Sequence, residues 1–158
     1  IASTLIVQLL ETDLPIATST TLIQLEVAQR LVAEPSTEPY GHLSVLVQSL
    51  AGGRITRKVP PKVFWPAPKV ESAVLRLSRR ADRPDRDEYE RLKSLSSAVF
   101  QHRRKTLVHT LKESGTSPET VRAALGALGQ PPDARPERLS PADFRLLARS
   151  LASTGRQA

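Results

Sequence analysis

The first half of the chain mixes helix-like and strand-like hydrophobic patterns. Residues 2–10 have apolar positions at helical spacing, while β-branched residues at 18–25 and alternation at 72–77 predict strands. The predicted apolar face of the first helix comprises Leu5, Ile6, Leu9 and Leu10. Further elements, two helices and a short strand, are predicted at 26–33, 43–50 and 54–59. Because the strands carry few polar positions, we expect them to be buried on both faces.

Two segments interrupt these elements. Gly52-Gly53 follows the third predicted helix, and we expect it to end that helix. Residues 60–68 contain four prolines. Since proline has no backbone N–H to donate, this segment is predicted to be an extended loop that feeds into the last strand.

The second half of the chain has helical patterns only. After a charged linker at 79–87, apolar residues recur at helical spacing between Tyr89 and Phe100 and again between Leu107 and Leu111. Ser-Pro pairs at 117 and 140 are typical of helix starts, because serine caps the first turn and proline fits inside it. The patterns predict an α/β part over residues 1–80, followed by a small all-helical domain over residues 81–158.

Composition and charge narrow the possible functions. With no cysteine and three scattered histidines, no metal site is expected, and the apolar runs are too short to span a membrane. The absence of methionine, even at position 1, predicts a piece of a longer protein. Of the net charge of +7, residues 79–158 contribute +6, and arginine outnumbers lysine 17 to 6. A basic half favours a polyanion such as nucleic acid, although solvated arginines on helix surfaces explain it equally well.

Two local segments stand out chemically. Prolines stiffen the loop that carries Phe64 and Trp65, so an aromatic ring there could stack on a nucleobase, unless both rings are packed on the core. Arg103, Arg104 and Lys105 form a run of cations between two predicted helices, suited either to phosphate contacts or to solvent.

Glu26 and Arg30 are four residues apart, which predicts an ion pair within a helix. No glycine-rich phosphate loop, nucleophile elbow or carboxylate pair for acid–base chemistry is present.

Four motifs in order identify a family resemblance. They are Gln24-x-Glu26-Val27-Ala28-x-Arg30, Tyr40-Gly41-x-Leu43-Ser44-Val45, Val59-Pro60-Pro61-x-x-Phe64-x-Pro66-x-Pro68-Lys69-Val70-x-Ser72-Ala73-Val74 and Phe100-x-x-Arg103-Arg104-Lys105-Thr106-Leu107. Together they closely resemble the ribosomal RNA small-subunit adenine N6,N6-dimethyltransferase family, firmly from Ile1 to about Lys112. The implied fold is the C-terminal part of a Rossmann-like class I methyltransferase domain, followed by a helical domain that contacts RNA.

The resemblance implies a function and its residues. A full-length member transfers methyl groups from S-adenosylmethionine to two adjacent adenines near the 3′ end of small-subunit ribosomal RNA, in the immature small subunit. The target base is extruded and held between aromatic rings, and Phe64 matches one of them. Arg103, Arg104, Lys105 and Lys69 are the residues expected to bind RNA. A cytoplasmic monomer is implied, with no membrane and no metal.

The family's cofactor motifs are not found in this chain. Its glycine-rich loop, its acidic cofactor ligands and its Asn-Leu/Ile-Pro-Tyr catalytic loop would all lie before Ile1. We therefore expect the 158 residues alone to bind no cofactor and to be inactive. Alternatives that stay open are an RNA-binding ribosome-assembly factor, a methyltransferase of large-subunit RNA and a mitochondrial transcription factor of the same superfamily. A helix-turn-helix DNA binder in residues 85–153 explains less, because the cations lie between helices.

Overall fold

The computed structural model describes residues 1–154, which form seven α-helices, three β-strands and two short 3-10 turns. The helices are α1 Ala2–Glu11, α2 Leu25–Leu31, α3 His42–Leu50, α4 Arg86–Gln101, α5 Leu107–Glu113, α6 Pro118–Ala127 and α7 Pro141–Thr154. The strands are β1 Thr18–Gln24, β2 Ala51–Val59 and β3 Ser72–Arg79. The 3-10 turns are Pro61–Val63 and Pro136–Arg138.

The chain divides into two compact units. Unit 1 comprises residues 1–34 and 38–83, and unit 2 comprises residues 35–37 together with the chain from Pro84 onward. All three strands belong to unit 1, along with α1 to α3, whereas unit 2 contains α4 to α7. The elements predicted from hydrophobic spacing are therefore present in the predicted order.

Unit 1 is built on a three-stranded antiparallel sheet with the order β1-β3-β2. The central strand buries Ala73, Leu75 and Leu77 on one face, and that face meets helices. Helix α2 contacts all three strands, and α3 contacts β2. Ser44 joins the two helices, because its hydroxyl donates to the Arg30 carbonyl oxygen. The core of unit 1 therefore lies between the sheet and these helices.

Within the described residues, the strands of unit 1 are not buried on both faces, contrary to the expectation from their sequence. Residues of β1 alternate between exposed and half-buried, and most residues of β2 are exposed. Only one face of β3 is buried. Within the described residues, helices cover one side of the sheet, and the other side of β1, β2 and β3 carries the exposed positions.

Two local predictions in unit 1 were also wrong. Helix α1 buries Ile6, Val7 and Leu10, whereas Leu5 is 59% exposed, so the buried face is rotated from the predicted one. Gly52-Gly53 does not end helix α3, because both glycines lie inside strand β2. Helix α3 ends because Ala51 adopts an extended conformation, while its N–H still closes the last turn on the Val47 carbonyl.

Gly53 is required by packing. A Cβ atom at this position would lie 2.7 Å from Leu77 Cδ2 and 2.9 Å from Val32 Cγ1, well inside van der Waals contact. We expect Gly53→Ala to lower the free energy of unfolding by about 1–2 kcal/mol, because overpacking forces core side chains to shift. Gly52→Ala is the matched control, since a Cβ there meets nothing within 4 Å. Urea unfolding of both variants checks this, and equal stabilities would contradict it.

Unit 2 is a helical assembly whose helices begin at side-chain caps. The side chains of Asp85, Thr106 and Ser117 each accept a backbone N–H in the first turn of α4, α5 and α6 respectively. Ser140 and Asp143 exchange hydrogen bonds at the start of α7. These caps satisfy N–H groups that a helix start leaves unpaired, which explains the Ser-Pro signals in the sequence.

A buried carboxylate connects α4 to α7. Glu88 is almost fully buried and accepts two hydrogen bonds from Arg145, at 2.8 Å from Nε and 2.9 Å from Nη2. Arg149 Nε forms a second ion pair with the same carboxylate. The Arg145 hydrogen bonds, followed by those of Arg149, lower the pKa of Glu88 below its ordinary value although burial opposes them. The carboxylate therefore stays ionised at neutral pH.

Two further findings concern what this part of the chain could bind. No helix among residues 1–154 is long and apolar enough to cross a bilayer. The same residues contain no group of three or more histidine, cysteine, aspartate or glutamate side chains placed to hold a metal ion.

Candidate nucleic-acid interface

The proline-rich loop is attached to unit 1 at both ends. At its start, the N–H groups of Val63 and Phe64 donate to the carbonyl oxygens of Pro60 and Pro61, at 3.3 and 3.1 Å, and form a 3-10 turn. At its end, the Leu25 N–H donates to the Glu71 carbonyl oxygen at 2.9 Å. The Trp65–Pro66 peptide bond between these anchors is cis. The hydrogen bonds at both ends attach the loop to unit 1, and its aromatic residues lie beside the start of α2.

A cleft of about 690 Å³ lies under this loop. Four parts of unit 1 line it: the start of α1, the end of β1, the first turn of α2 and the aromatic loop with the start of β3. Its lining is mainly apolar, with polar groups from Ser3, Gln24 and Ser72. Apolar walls with a few polar groups are typical of small-molecule sites, and the volume admits one nucleobase with its ribose.

The two aromatic side chains at the cleft differ in exposure. Phe64 is half-buried and lines the wall of the cleft. Its ring is therefore in contact with unit 1 and still accessible from the cleft. Trp65 also lines the cleft, but its side chain is 98% exposed. The alternative in which both rings serve only as core anchors therefore fails for Trp65.

Trp65 is the site residue that sequence reasoning missed. The sequence singled out Phe64, which carries the family resemblance, and left Trp65 as part of the loop. A large aromatic ring exposed to 98% gains nothing from the core of unit 1, so its exposure is the signal that marks it. That signal requires a structure, because neighbouring prolines are compatible with either orientation.

Lys69 lies in the same loop but not at the cleft. Its side chain is exposed, and it is not among the residues that line the cavity. It makes no ion pair among residues 1–154. The structure therefore places Lys69 beside the cleft as an exposed positive charge, separate from the aromatic pair.

The cationic segment 103–105 lies between α4 and α5 in unit 2. Leu107 is fully buried, and its N–H donates to the Ala134 carbonyl oxygen at 2.9 Å. Phe100 packs against Phe144 with ring centroids 5.7 Å apart. These two flanking residues therefore anchor the segment to the core of unit 2. The intervening turn closes through the Lys105 N–H, which donates to the His102 carbonyl oxygen at 2.8 Å.

The three cations are not equivalent. Arg103 and Arg104 are exposed, and Arg103 Nη2 donates to the Thr37 carbonyl oxygen at 3.3 Å. Lys105 is half-buried, and its Nζ lies 3.1 Å from Glu113 Oε1 and 3.4 Å from Oε2. The hydrogen bond from Lys105 lowers the pKa of Glu113, so this carboxylate is ionised and neutralises Lys105 at neutral pH. Arg103 and Arg104 therefore provide the two most available charges.

The predicted ion pair in α2 is confirmed. Arg30 Nη2 donates to Glu26 Oε1 at 2.8 Å, and the side chains are 46% and 79% exposed respectively. An exposed pair of this kind contributes only a few tenths of a kcal/mol to the helix.

Comparison with solved structures defines the class of fold. The chain matches the crystal structure of a dimethyladenosine transferase from Plasmodium falciparum with a TM-score of 0.82 and 22% identity, over 98% of this chain and 65% of that one. It matches the 23S rRNA methyltransferase ErmE with a TM-score of 0.72 and 27% identity, over 96% of this chain and 61% of that one. The fold is thus an α/β fold similar to that of this dimethyladenosine transferase and this 23S rRNA methyltransferase.

Sequence comparison identifies the family. The model of the ribosomal RNA adenine dimethylase family matches residues 1–144, and the chain belongs to this family. Ribosomal RNA small subunit methyltransferase A of Rubrobacter xylanophilus is 42% identical over 96% of this chain and 56% of its own length. The protein of that name from Streptococcus sanguinis is 40% identical over 98% of this chain and 55% of its own length. The chain spans about half the length of the curated relatives it matches.

Proposed function

We propose that this chain is the base-binding and RNA-binding portion of an enzyme that dimethylates N6 of two adjacent adenines near the 3′ end of small-subunit ribosomal RNA during ribosome maturation. Unit 1 provides the C-terminal part of a Rossmann-like methyltransferase domain, and unit 2 provides a helical RNA-contacting domain. The methyl donor is S-adenosylmethionine, the substrate is the immature small subunit, and the enzyme acts as a cytoplasmic monomer. The observation that carries the proposal is the mainly apolar cleft beneath Phe64 and Trp65.

The cleft suits an extruded adenine. A flat base can stack on an aromatic ring, and each stacking contact is worth about 1–3 kcal/mol. Phe64 lines the wall and Trp65 stands at the exposed side, so the two rings can hold a base from different directions. Gln24, Ser3 and Ser72 supply hydrogen-bonding groups for the base edge. The role of these residues in the reaction is to bind the base and to orient it.

The residues of the cleft do not fit S-adenosylmethionine. Among the described residues, no carboxylate lines it, and its polar side-chain groups are two hydroxyls, one amide and the indole N–H of Trp65. A cofactor with a positive sulfonium and a ribose diol is held by acidic side chains and by glycine-rich backbone. We therefore derive no step through the cofactor from these residues and assign the cleft to the base.

The relatives favour the small-subunit substrate over the large-subunit one. The curated relatives that carry the small-subunit name are 36–43% identical to this chain. The 23S rRNA methyltransferase ErmE is 27% identical. An enzyme that acts on large-subunit RNA remains the second candidate function on the basis of that likeness.

Trp65 provides a direct test of the base site. It is the only tryptophan in the chain and is 98% exposed, so its fluorescence reports on whatever stacks against it. We expect a single-stranded RNA with two adjacent adenines to quench this fluorescence, because the base covers the indole ring. The matched control is an abasic RNA of the same length, which offers phosphates but no bases. Equal quenching by both RNAs would contradict a base-stacking role.

The cationic segment is tested by salt dependence. We expect Arg103→Glu with Arg104→Glu to weaken RNA binding at least tenfold at about 0.1 M salt and to flatten the dependence of affinity on salt. The physical reason is that binding through fewer phosphate contacts displaces fewer counterions from the RNA. Arg122→Glu with Lys112→Glu is the control, with the same change in charge on other helices of unit 2. A salt slope unchanged in the first variant would reject the phosphate role.

A further inference from the structure

We propose that the outward face of the sheet in unit 1 is a second RNA-binding surface, formed by Arg54, Arg57 and Arg76, which carries the phosphates next to the base held in the cleft. This inference rests on the proposed function and adds a surface that the sequence motifs do not include. The three residues are called the arginine face below.

The register of the sheet places these arginines together. Arg54 of β2 is the direct partner of Arg76 on the central strand β3, and Arg57 is the direct partner of Val74. Residues that pair directly point to the same face of a sheet. Because Ala73, Leu75 and Leu77 point to the core, Val74 and Arg76 point outward together with their partners. All three arginines are exposed.

A β-bulge brings Arg57 to this face. Side chains alternate along a strand, so positions 54 and 57 would normally point to opposite sides. The register shifts between Ile55 and Arg57, where Thr56 is the extra residue and its hydroxyl donates to the Val74 carbonyl oxygen at 3.1 Å. Such bulges re-aim side chains and are frequent beside functional sites.

On the three described strands, no acidic side chain lies on the arginine face. Its other outward positions on the three strands carry threonine, serine, glutamine, glycine, leucine or valine, and none carries aspartate or glutamate. Among the residues that the structure describes, none of the three arginines makes an ion pair. Three uncompensated guanidinium groups on one face of a sheet are complementary to a polyanion.

Protection of an edge strand does not explain this arrangement. Charged residues on β2, which lies at the edge of the sheet, would discourage pairing with other chains. Arg76, however, lies on the central strand directly opposite Arg54, and like charges in that position destabilise the sheet. A repulsive pair at this position is better explained by an anionic ligand that both guanidinium groups contact.

The arginine face is continuous with the cleft. Arg57, Val74 and Leu22 form one row across the three strands, and Leu22 lines the cleft beside Phe64 and Trp65. An RNA strand whose base occupies the cleft therefore has its neighbouring phosphates over this row. This continuity within unit 1 selects RNA as the occupant over other polyanions.

The test compares two faces of one strand. We expect Arg54→Glu with Arg57→Glu to weaken binding of a single-stranded adenine-containing RNA at least tenfold, and to reduce the salt slope by about 1.4 for two lost phosphates. Lys58→Glu is the control, because Lys58 pairs with Ala73 on the opposite side of the sheet. Its effect should be less than threefold. Equal losses in the two variants, or an unchanged slope in the first, would overturn the proposal.

The melting temperature and the Arg103→Glu/Arg104→Glu variant distinguish failure of this inference from failure of the proposed function. Arg54→Glu alone places a carboxylate opposite Arg76, so its melting temperature should equal or exceed that of the unmodified chain while RNA binding falls. A lower melting temperature with unchanged RNA affinity would make the arginine structural. If the Arg103→Glu/Arg104→Glu variant loses binding while the arginine-face variant does not, only this inference fails. If the unmodified chain does not bind RNA, the proposed function fails with it.

Discussion

Glu88→Ala is expected to lower the free energy of unfolding of unit 2 by about 2–3 kcal/mol. The substitution leaves Arg145, whose side chain is only 27% exposed, without the carboxylate that accepts its two hydrogen bonds. Loss of one partner of a buried ion pair costs about 3–5 kcal/mol, and partial solvent access to Arg145 reduces that figure. Urea unfolding followed by circular dichroism at pH 7 measures the change.

The same pair predicts a dependence of stability on pH. Because the pKa of Glu88 is lowered in the folded state, its contribution is fully present above the pKa of an unfolded glutamate and is lost as pH falls through the lower folded value. The stability difference between the unmodified chain and Glu88→Gln should therefore shrink below about pH 4. Arg149→Ala is the control, since that side chain is 54% exposed and should contribute less than about 1 kcal/mol. A constant difference from pH 7 to pH 3 would contradict the assignment.

Alanine at the position matching Phe64 in the full-length Rubrobacter xylanophilus relative is expected to lower kcat/KM for RNA methylation by about 10–100-fold. The estimate corresponds to the loss of one stacking contact with the target base, worth about 1–3 kcal/mol. Affinity for the RNA as a whole should fall less than threefold, because phosphate contacts supply most of it. Single-turnover methylation and filter binding with the same RNA measure the two quantities.

A neighbouring residue provides the control for Phe64. Val63 precedes it in the chain, is 59% exposed and does not line the cleft. Alanine at the position matching Val63 should change neither methylation nor RNA affinity appreciably. Parallel losses of activity and affinity in the Phe64 variant would indicate that the ring only supports the loop.

Local patterns were sufficient for most elements because their causes are local. Capping by Ser117, the helical spacing between Tyr89 and Phe100, and the strand propensity of residues 18–24 depend on near neighbours in the chain. The Glu26–Arg30 pair belongs to the same class, since one helical turn brings the two side chains together. Such features can be read from a sequence without knowledge of the fold.

The predictions made from sequence were wrong where burial or pairing of a residue depends on residues far away in the chain. Gly52-Gly53 has the composition of a helix terminator, yet Gly53 is needed inside β2 for contact with Leu77 and Val32. The exposure of Leu5 likewise depends on which side of α1 meets α3, and helical spacing alone does not select that side. Lys105 looks like its two arginine neighbours in sequence, and only the position of Glu113 distinguishes it.

By itself, the sequence determined the order and type of the elements, the family and the two segments that carry aromatic and cationic residues. Tertiary structure alone decided that Trp65 is exposed at the cleft, that Glu88 is buried between two arginines and that Arg54, Arg57 and Arg76 share one face. The reason is physical: helical spacing and capping act over a few residues, whereas exposure, ion pairing and sheet register are set by contacts between segments far apart in the chain. A single extra residue, Thr56, moves Arg57 to the other side of the sheet, and no local sequence pattern predicts this β-bulge.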